Sequence, residues 1–274
     1  MVSISTIITV IITFCVSTVL PLVVLVIYAL KNKGKGIWSA WLLGVAGFFV
    51  MQIVIRTPVL NLLATTQSFL DFAIENFVWY CLIMAFTAAL SEVIGRYVVA
   101  KLMSKNLTFE RGIAAGLGHG GIEAIVIIGL PYLNNLFYIG MINSGTFDGV
   151  VEQTAALGVD TTSLLAIKEN LLHMNSAMFL LAGYERILTM ILHVALSLVV
   201  CYFVSRKEDW KGILICLICH CLVDFVAPFI NGCATQYMGN LISTTTAYII
   251  AYVFLTIVAL ASIYAIRKMN KEWQ

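Results

Sequence analysis

The 274-residue sequence has little charge. Asp, Glu, Lys and Arg make up 11% of it, against 61% hydrophobic residues and a mean hydropathy of +0.98. An average soluble domain carries about 25% charged residues, so a water-soluble globular protein is excluded. The net charge of +2 is too small to suggest a nucleic-acid partner. No low-complexity tract and no internal repeat is visible, and the zinc-helix pattern HExxH is absent. The seven cysteines are scattered through apolar stretches rather than paired in loops. They read as small buried hydrophobes without a redox role. The opening MVSISTIITV lacks a basic n-region, and its apolar run is too long for a signal peptide, so a retained helix is expected.

What the sequence has in quantity is long apolar runs. Seven are long enough to cross the hydrocarbon core as helices, at about 3–30, 37–58, 77–100, 112–130, 179–204, 211–229 and 242–266. The apolar segment after Pro131 either prolongs the fourth span or forms a short eighth helix. The expected fold is an all-α, polytopic membrane bundle of seven or eight helices. It forms a single transmembrane domain over 1–274. The stretch 144–178 is mildly amphipathic and is expected to lie on the outer surface.

The few basic residues alternate. Lys31, Lys33 and Lys35 follow span 1, and Lys101, Lys105 and Arg111 follow span 3. Arg206, Lys207 and Lys211 follow span 5, and Arg267, Lys268 and Lys271 follow span 7. Twelve of the sixteen Lys and Arg residues thus fall on one side, and the opposite loops hold only Lys168. The positive-inside rule then puts the N-terminus outside and the C-terminus in the cytoplasm, with the bacterial cytoplasmic membrane as the expected location.

Ionisable residues inside spans are expensive and mark candidate functional sites. Glu92 and Arg96 lie in span 3, His119 and Glu123 in span 4, His193 in span 5, and His220 and Asp224 in span 6. Counted from the nearest basic loop at 1.5 Å per residue, Glu92, His119, Glu123, His193, His220 and Asp224 share a layer roughly 12–20 Å deep. Glu92/Arg96, His119/Glu123 and His220/Asp224 are i,i+4 pairs, each on one helix face. Gly112, Gly116 and Gly120 form a stripe that permits close packing of span 4. Arg96, nearer the interface, either orients Glu92 or snorkels. Glu185 and Arg186 fall outside the layer and read as a structural or gating pair, while Arg56 and His173 read as ordinary interface residues. Three motif matches carry nothing. The CxxCH at Cys216–His220 and the GxGxxG at Gly116–Gly121 both lie inside membrane helices, and the Asn106 sequon lies on the cytoplasmic side.

In order, the spans read ExxxR, GxGHGxxE, an isolated His, and HxxxD. This set resembles the intramembrane endopeptidase superfamily of the CAAX prenyl proteases, the bacterial CPBP/Abi proteins, the PrsW proteases and the APH scaffold subunits. Within it the chain is most similar to the YhfC family of membrane peptidases. The resemblance covers about 77–230. Ser91-Glu92 supplies only the second glutamate of the EExxxR pattern, and His119 stands where PrsW relatives carry Phe. The resemblance implies hydrolysis of a membrane-embedded or membrane-proximal peptide bond in a lipid-embedded protein. In its glutamic-type scheme no cofactor is needed. Glu92 and Glu123 activate water, His220 with His119 or His193 stabilises the oxyanion, Asp224 orients His220, and Arg96 supports Glu92. The alternative is a Zn2+ site, with Glu123, His193 and His220 as ligands. An ion-coupled transporter and a non-catalytic scaffold are the competing classes. A carrier would be expected to show inverted repeats.

Overall fold

A computed structural model describes residues 1–273, and within them every regular element is helical. Seven helices are long and apolar enough to cross a membrane. They are α1 (Ile4–Lys31), α2 (Ile37–Leu63), α3 (Phe77–Leu102), α4 (Phe109–Ser144), α5 (Ala177–Ser205), α6 (Asp209–Cys233) and α7 (Thr244–Trp273). The segment after Pro131 forms no separate span; it prolongs α4. Between α4 and α5 lie two short helices, Phe147–Ala156 and Thr162–His173. A further one, Gln67–Glu75, precedes α3.

Three of the four prolines are accommodated because the backbone widens ahead of them, whereas Pro228 lies within the regular α-helix of α6. A proline ring removes one N–H and crowds the carbonyl four residues back. Pro21, Pro58 and Pro131 each follow, by two residues, a stretch of π-helix: Cys15–Val19, Phe49–Arg56 and Ile125–Gly129. The crowded carbonyl falls inside the wider turn in all three cases, so α1, α2 and α4 continue without a break.

The chain divides into two compact units: Met1–Val24 with Glu123–Ile187, and Leu25–Ile122 with Leu188–Gln274. The first has a core of Val2, Val10, Tyr132, Ile139, Leu171 and Phe179. Thr13 Oγ1 and Tyr132 Oη both donate to the Phe179 carbonyl there, at 2.8 and 3.0 Å. This polar tie between helices suits a medium in which an unpaired carbonyl is costly.

In the second unit, close packing depends on glycine. A Cβ on Gly44 would stand 2.0 Å from the Ala115 carbonyl oxygen, and one on Gly118 would stand 2.1 Å from that of Trp41. These two positions bring α2 and α4 to backbone contact. The stripe Gly112, Gly116 and Gly120 faces α5 instead. There a Cβ would meet Leu198 at 2.9 Å, the Val194 Cα at 2.6 Å and the His193 Cβ at 3.0 Å. Small residues on both faces thus allow α4 to be gripped by α2 and α5, as dispersion-driven packing in lipid requires. Helices α3 and α6 pack along one another in the same unit.

Candidate functional site

Five helices of the second unit, α2 to α6, deliver polar side chains to one buried point, the carboxylate of Glu92. Its Oε1 accepts from Gln52 Nε2 at 2.6 Å. Its Oε2 lies 2.9 Å from His119 Nε2, 3.1 Å from Arg96 Nη2, 3.5 Å from His220 Nε2 and 3.8 Å from His193 Nδ1. All six residues are buried. The three imidazoles form a chain, with ring centroids 5.2 Å apart from His119 to His193 and 5.4 Å from His193 to His220. Phe48 packs its edge against His119 at 5.2 Å.

Arg96 fixes the tautomers of two of these rings. A guanidinium only donates, so His193 Nδ1, 2.5 Å from Nη2, accepts, and the proton of the neutral ring falls on Nε2. By the same reasoning His220 Nδ1, 3.4 Å from Nη1, accepts and its Nε2 carries hydrogen. That Nε2–H lies 3.5 Å from both Glu92 Oε2 and Asp224 Oδ2. Asp224 is the most open of the group, with 29% of its side chain exposed.

The structure therefore joins Glu92, Arg96, His119, His193 and His220 directly, with Asp224 at the edge. Arg96 does not snorkel. It is 3% exposed, and its two Nη groups are spent on the glutamate and two histidines. Glu123 lies in the first unit, one helical turn beyond His119 on the unbroken α4. Arg186 Nη1 donates to its Oε1 at 3.1 Å, and Arg186 Nη2 donates to Glu185. Glu185 and Arg186 thus form the ion pair read from the sequence, and Arg186 in addition reaches Glu123 of the polar layer. Rise along separate helices measures backbone depth, and a long guanidinium reaches well beyond its own turn.

Two further residues escaped the sequence reading. Gln52 is uncharged, so a search for charges inside spans passes over it. Arg56, half-buried within α2, bonds the Met84 carbonyl at 2.9 Å and Gln52 Oε1 at 3.4 Å. Gln52 thereby links Arg56 to Glu92. The i,i+4 spacing of Gln52 and Arg56 was the signal available.

The donor set fits a metal. Ligand atoms of the buried Glu92, His119 and His193 lie within 4.8 Å of one another. A tetrahedral zinc with bonds of 2.0–2.1 Å has ligand-to-ligand edges of about 3.3 Å. The 2.9, 3.5 and 3.8 Å separations of the histidine nitrogens from Glu92 Oε2 bracket that edge. One group opposes it: the Arg96 guanidinium takes the His193 Nδ1 lone pair and leans on Glu92 Oε2.

No solved structure matches the chain. It is 30% identical over 245 residues to the uncharacterized membrane protein YhfC of Bacillus subtilis (strain 168), covering 89% of each chain. With seven apolar helices and that relative, the chain is a multi-pass integral membrane protein. Residues 16–244, which include every polar residue of the cluster, match one family description. The chain belongs to the YhfC intramembrane metalloprotease family.

Proposed function

We propose that this membrane peptidase cuts a membrane-embedded or membrane-proximal peptide bond in the bacterial cytoplasmic membrane, with a divalent metal, zinc by its donor set, held by Glu92, His119 and His193. The observation that carries this is the convergence of three imidazole nitrogens on one buried carboxylate oxygen, at distances near a tetrahedral ligand edge. When bound, the metal supplies a Lewis acid that polarises the scissile carbonyl and makes water more acidic.

The chain's own groups do the rest. Glu123 accepts the proton of the attacking water, a role suited to a buried carboxylate one turn from a ligand. His220 presents its Nε2–H to the developing oxyanion; Arg96 holds that ring in its donor tautomer through Nδ1, and Asp224 orients the Nε2 edge until the oxyanion forms. Gln52 fixes the rotation of the Glu92 carboxylate through Oε1, as outer partners of metal ligands do. The family description favours hydrolysis over an ion-coupled carrier or a scaffold.

One observation favours the metal-free scheme, in which Glu92 and Glu123 serve as the water-activating carboxylates. Arg96 already supplies a cation among the donors, 2.5 Å from His193 Nδ1 and 3.1 Å from Glu92 Oε2. The deciding experiment measures metal per purified chain by mass spectrometry and cleavage of a peptide library with and without chelator. The metal reading expects about one zinc per chain, lost together with activity in His119→Ala and restored to the wild type by added zinc. Cleavage that survives complete removal of metal selects the glutamate scheme. Absence of cleavage under every metal condition would remove the peptidase reading.

A further inference from the structure

Two buried polar atoms of the second unit have no hydrogen-bond partner among the described residues and line the same small space. They are Ser197 Oγ and Arg96 Nε, on residues only 4% and 3% exposed. Both residues border a cavity of about 10 Å³, whose wall also includes His119, Ala115 and Cys201. That is about the least space that holds a single water.

Neither atom is expected to go unpaired. A serine inside a helix commonly donates back to a carbonyl one turn earlier. Ser91 does so to Thr87 at 2.9 Å, and Thr256 to Tyr252 at 2.6 Å. Ser197 does not. Arg96 spends both Nη groups on Glu92, His193 and His220, which leaves its Nε–H for the cavity side. In lipid a buried donor without an acceptor is costly, and a small polar cavity is where a protein places a bound water.

The position is also informative. Ser197 lies one helical turn from His193 along α5, and Ala115 one turn from His119 along α4. Both displacements point toward the end of the bundle that carries the basic loops. A water in this space would touch the Arg96 guanidinium at Nε, and His119, which bonds Glu92, stands in the same wall. Gly116 helps keep the space open, since a Cβ there would lie 3.2 Å from the Ser197 Cβ.

We propose that this cavity binds one ordered water, which accepts from Arg96 Nε–H and shares a hydrogen bond with Ser197 Oγ, and that it is the store from which the hydrolytic layer draws water. Hydrolysis consumes one water for each bond cut, so an apolar bundle must hold a replacement close by. The store role rests on the hydrolytic reading; the binding site does not.

The test has two arms. The first is an experimental structure of the full chain at a resolution that orders waters, for the wild type and for Ser197→Val. A peak within hydrogen-bonding distance of both Arg96 Nε and Ser197 Oγ is expected in the wild type, and its loss in Ser197→Val. A wild-type map without that peak overturns the site, whatever the activity. The second arm is peptide cleavage: Ser197→Val should lower kcat by about 10-fold, in the range for outer-shell changes, with KM unchanged. Unaltered kcat in a variant that has lost the peak overturns the store while leaving the water site standing. A wild type that cleaves nothing disposes of the hydrolytic reading and the store together, and the first arm still decides the site.

Discussion

His119 Nε2 lies 2.9 Å from Glu92 Oε2, so a ring on α4 is pinned to a carboxylate on α3. This contact makes Glu92 the electrostatic centre of the second unit. Its charge is shared among a guanidinium and three imidazoles, all of them buried. Every substitution near it therefore changes a balance of buried charge as well as a reacting group.

Glu92 and Arg96 should be strongly non-additive. Removing one member of a buried ion pair costs about 3–5 kcal/mol, because the survivor remains charged and desolvated. Glu92→Gln and Arg96→Gln should each lower the unfolding midpoint in detergent sharply. The double variant should be more stable than the sum of the two losses predicts. Additive losses would show that the 3.1 Å contact contributes nothing to folding.

Gln52→Leu should leave the bundle intact and weaken catalysis. The amide holds Glu92 Oε1 at 2.6 Å, while Oε2 faces the histidines. Loss of such an outer partner typically costs about 10- to 100-fold in metal affinity or activity. Zinc titration of the purified variant, compared with the wild type, reads the effect directly. Equal affinity and equal kcat would reduce Gln52 to a packing residue.

The spans were legible because bilayer thickness imposes a length and a composition that the sequence must meet. Glu92, His119, His193 and His220 were legible for the matching reason, since ionisable groups in lipid are rare. Spacing misled in one respect. The i,i+4 pair His119/Glu123 shares a helix, yet its members bond to different partners, Glu92 and Arg186. Helical register gives direction from one axis, whereas the partner depends on how neighbouring helices approach, which here is set by glycines at 44, 116, 118 and 120. Gln52 and Ser197 stayed hidden because neutral polar residues inside spans are common, and only their partners or lack of them give them meaning.

The helix approaches can be tested without touching the site. Gly44→Ala and Gly118→Ala place a methyl 2.0 and 2.1 Å from backbone oxygens, where no side chain can yield. Overpacking costs typically about 1–3 kcal/mol, and a clash with backbone belongs at or above the upper end. Both variants should lose most of their monodisperse yield in detergent. Gly140→Ala and Gly149→Ala meet nothing within 4 Å and should be neutral or slightly stabilising. Normal yield from Gly44→Ala would mean that α2 and α4 lie farther apart than described.

The basic loops make orientation a direct test. Lys31 to Lys35, Lys101 to Arg111, Arg206 to Lys211 and Arg267 to Lys271 all fall at one end of their spans. With cytoplasmic basic loops, single cysteines added near residues 68 and 240 should react with an impermeant label in intact cells. One added near residue 208 should react only after lysis. The opposite pattern would invert the protein and place the Ser197 cavity on the outer side of the layer.

Glu123 and Arg186 allow catalysis to be separated from stability within the first unit. Glu123→Gln removes the carboxylate but leaves Arg186 its second partner, Glu185. The variant should therefore fold and insert with a modest loss of midpoint. Arg186→Gln withdraws a buried cation from the Glu123 carboxylate and should cost about 3–5 kcal/mol. Activity should follow a different order. A general base contributes about 100- to 10,000-fold, so Glu123→Gln should lose at least 100-fold in kcat despite its near-normal stability. If kcat in Glu123→Gln stays near that of the wild type while Arg186→Gln unfolds, Glu123 is only the counter-ion that allows Arg186 to lie in the membrane, and the base must be sought at Glu92.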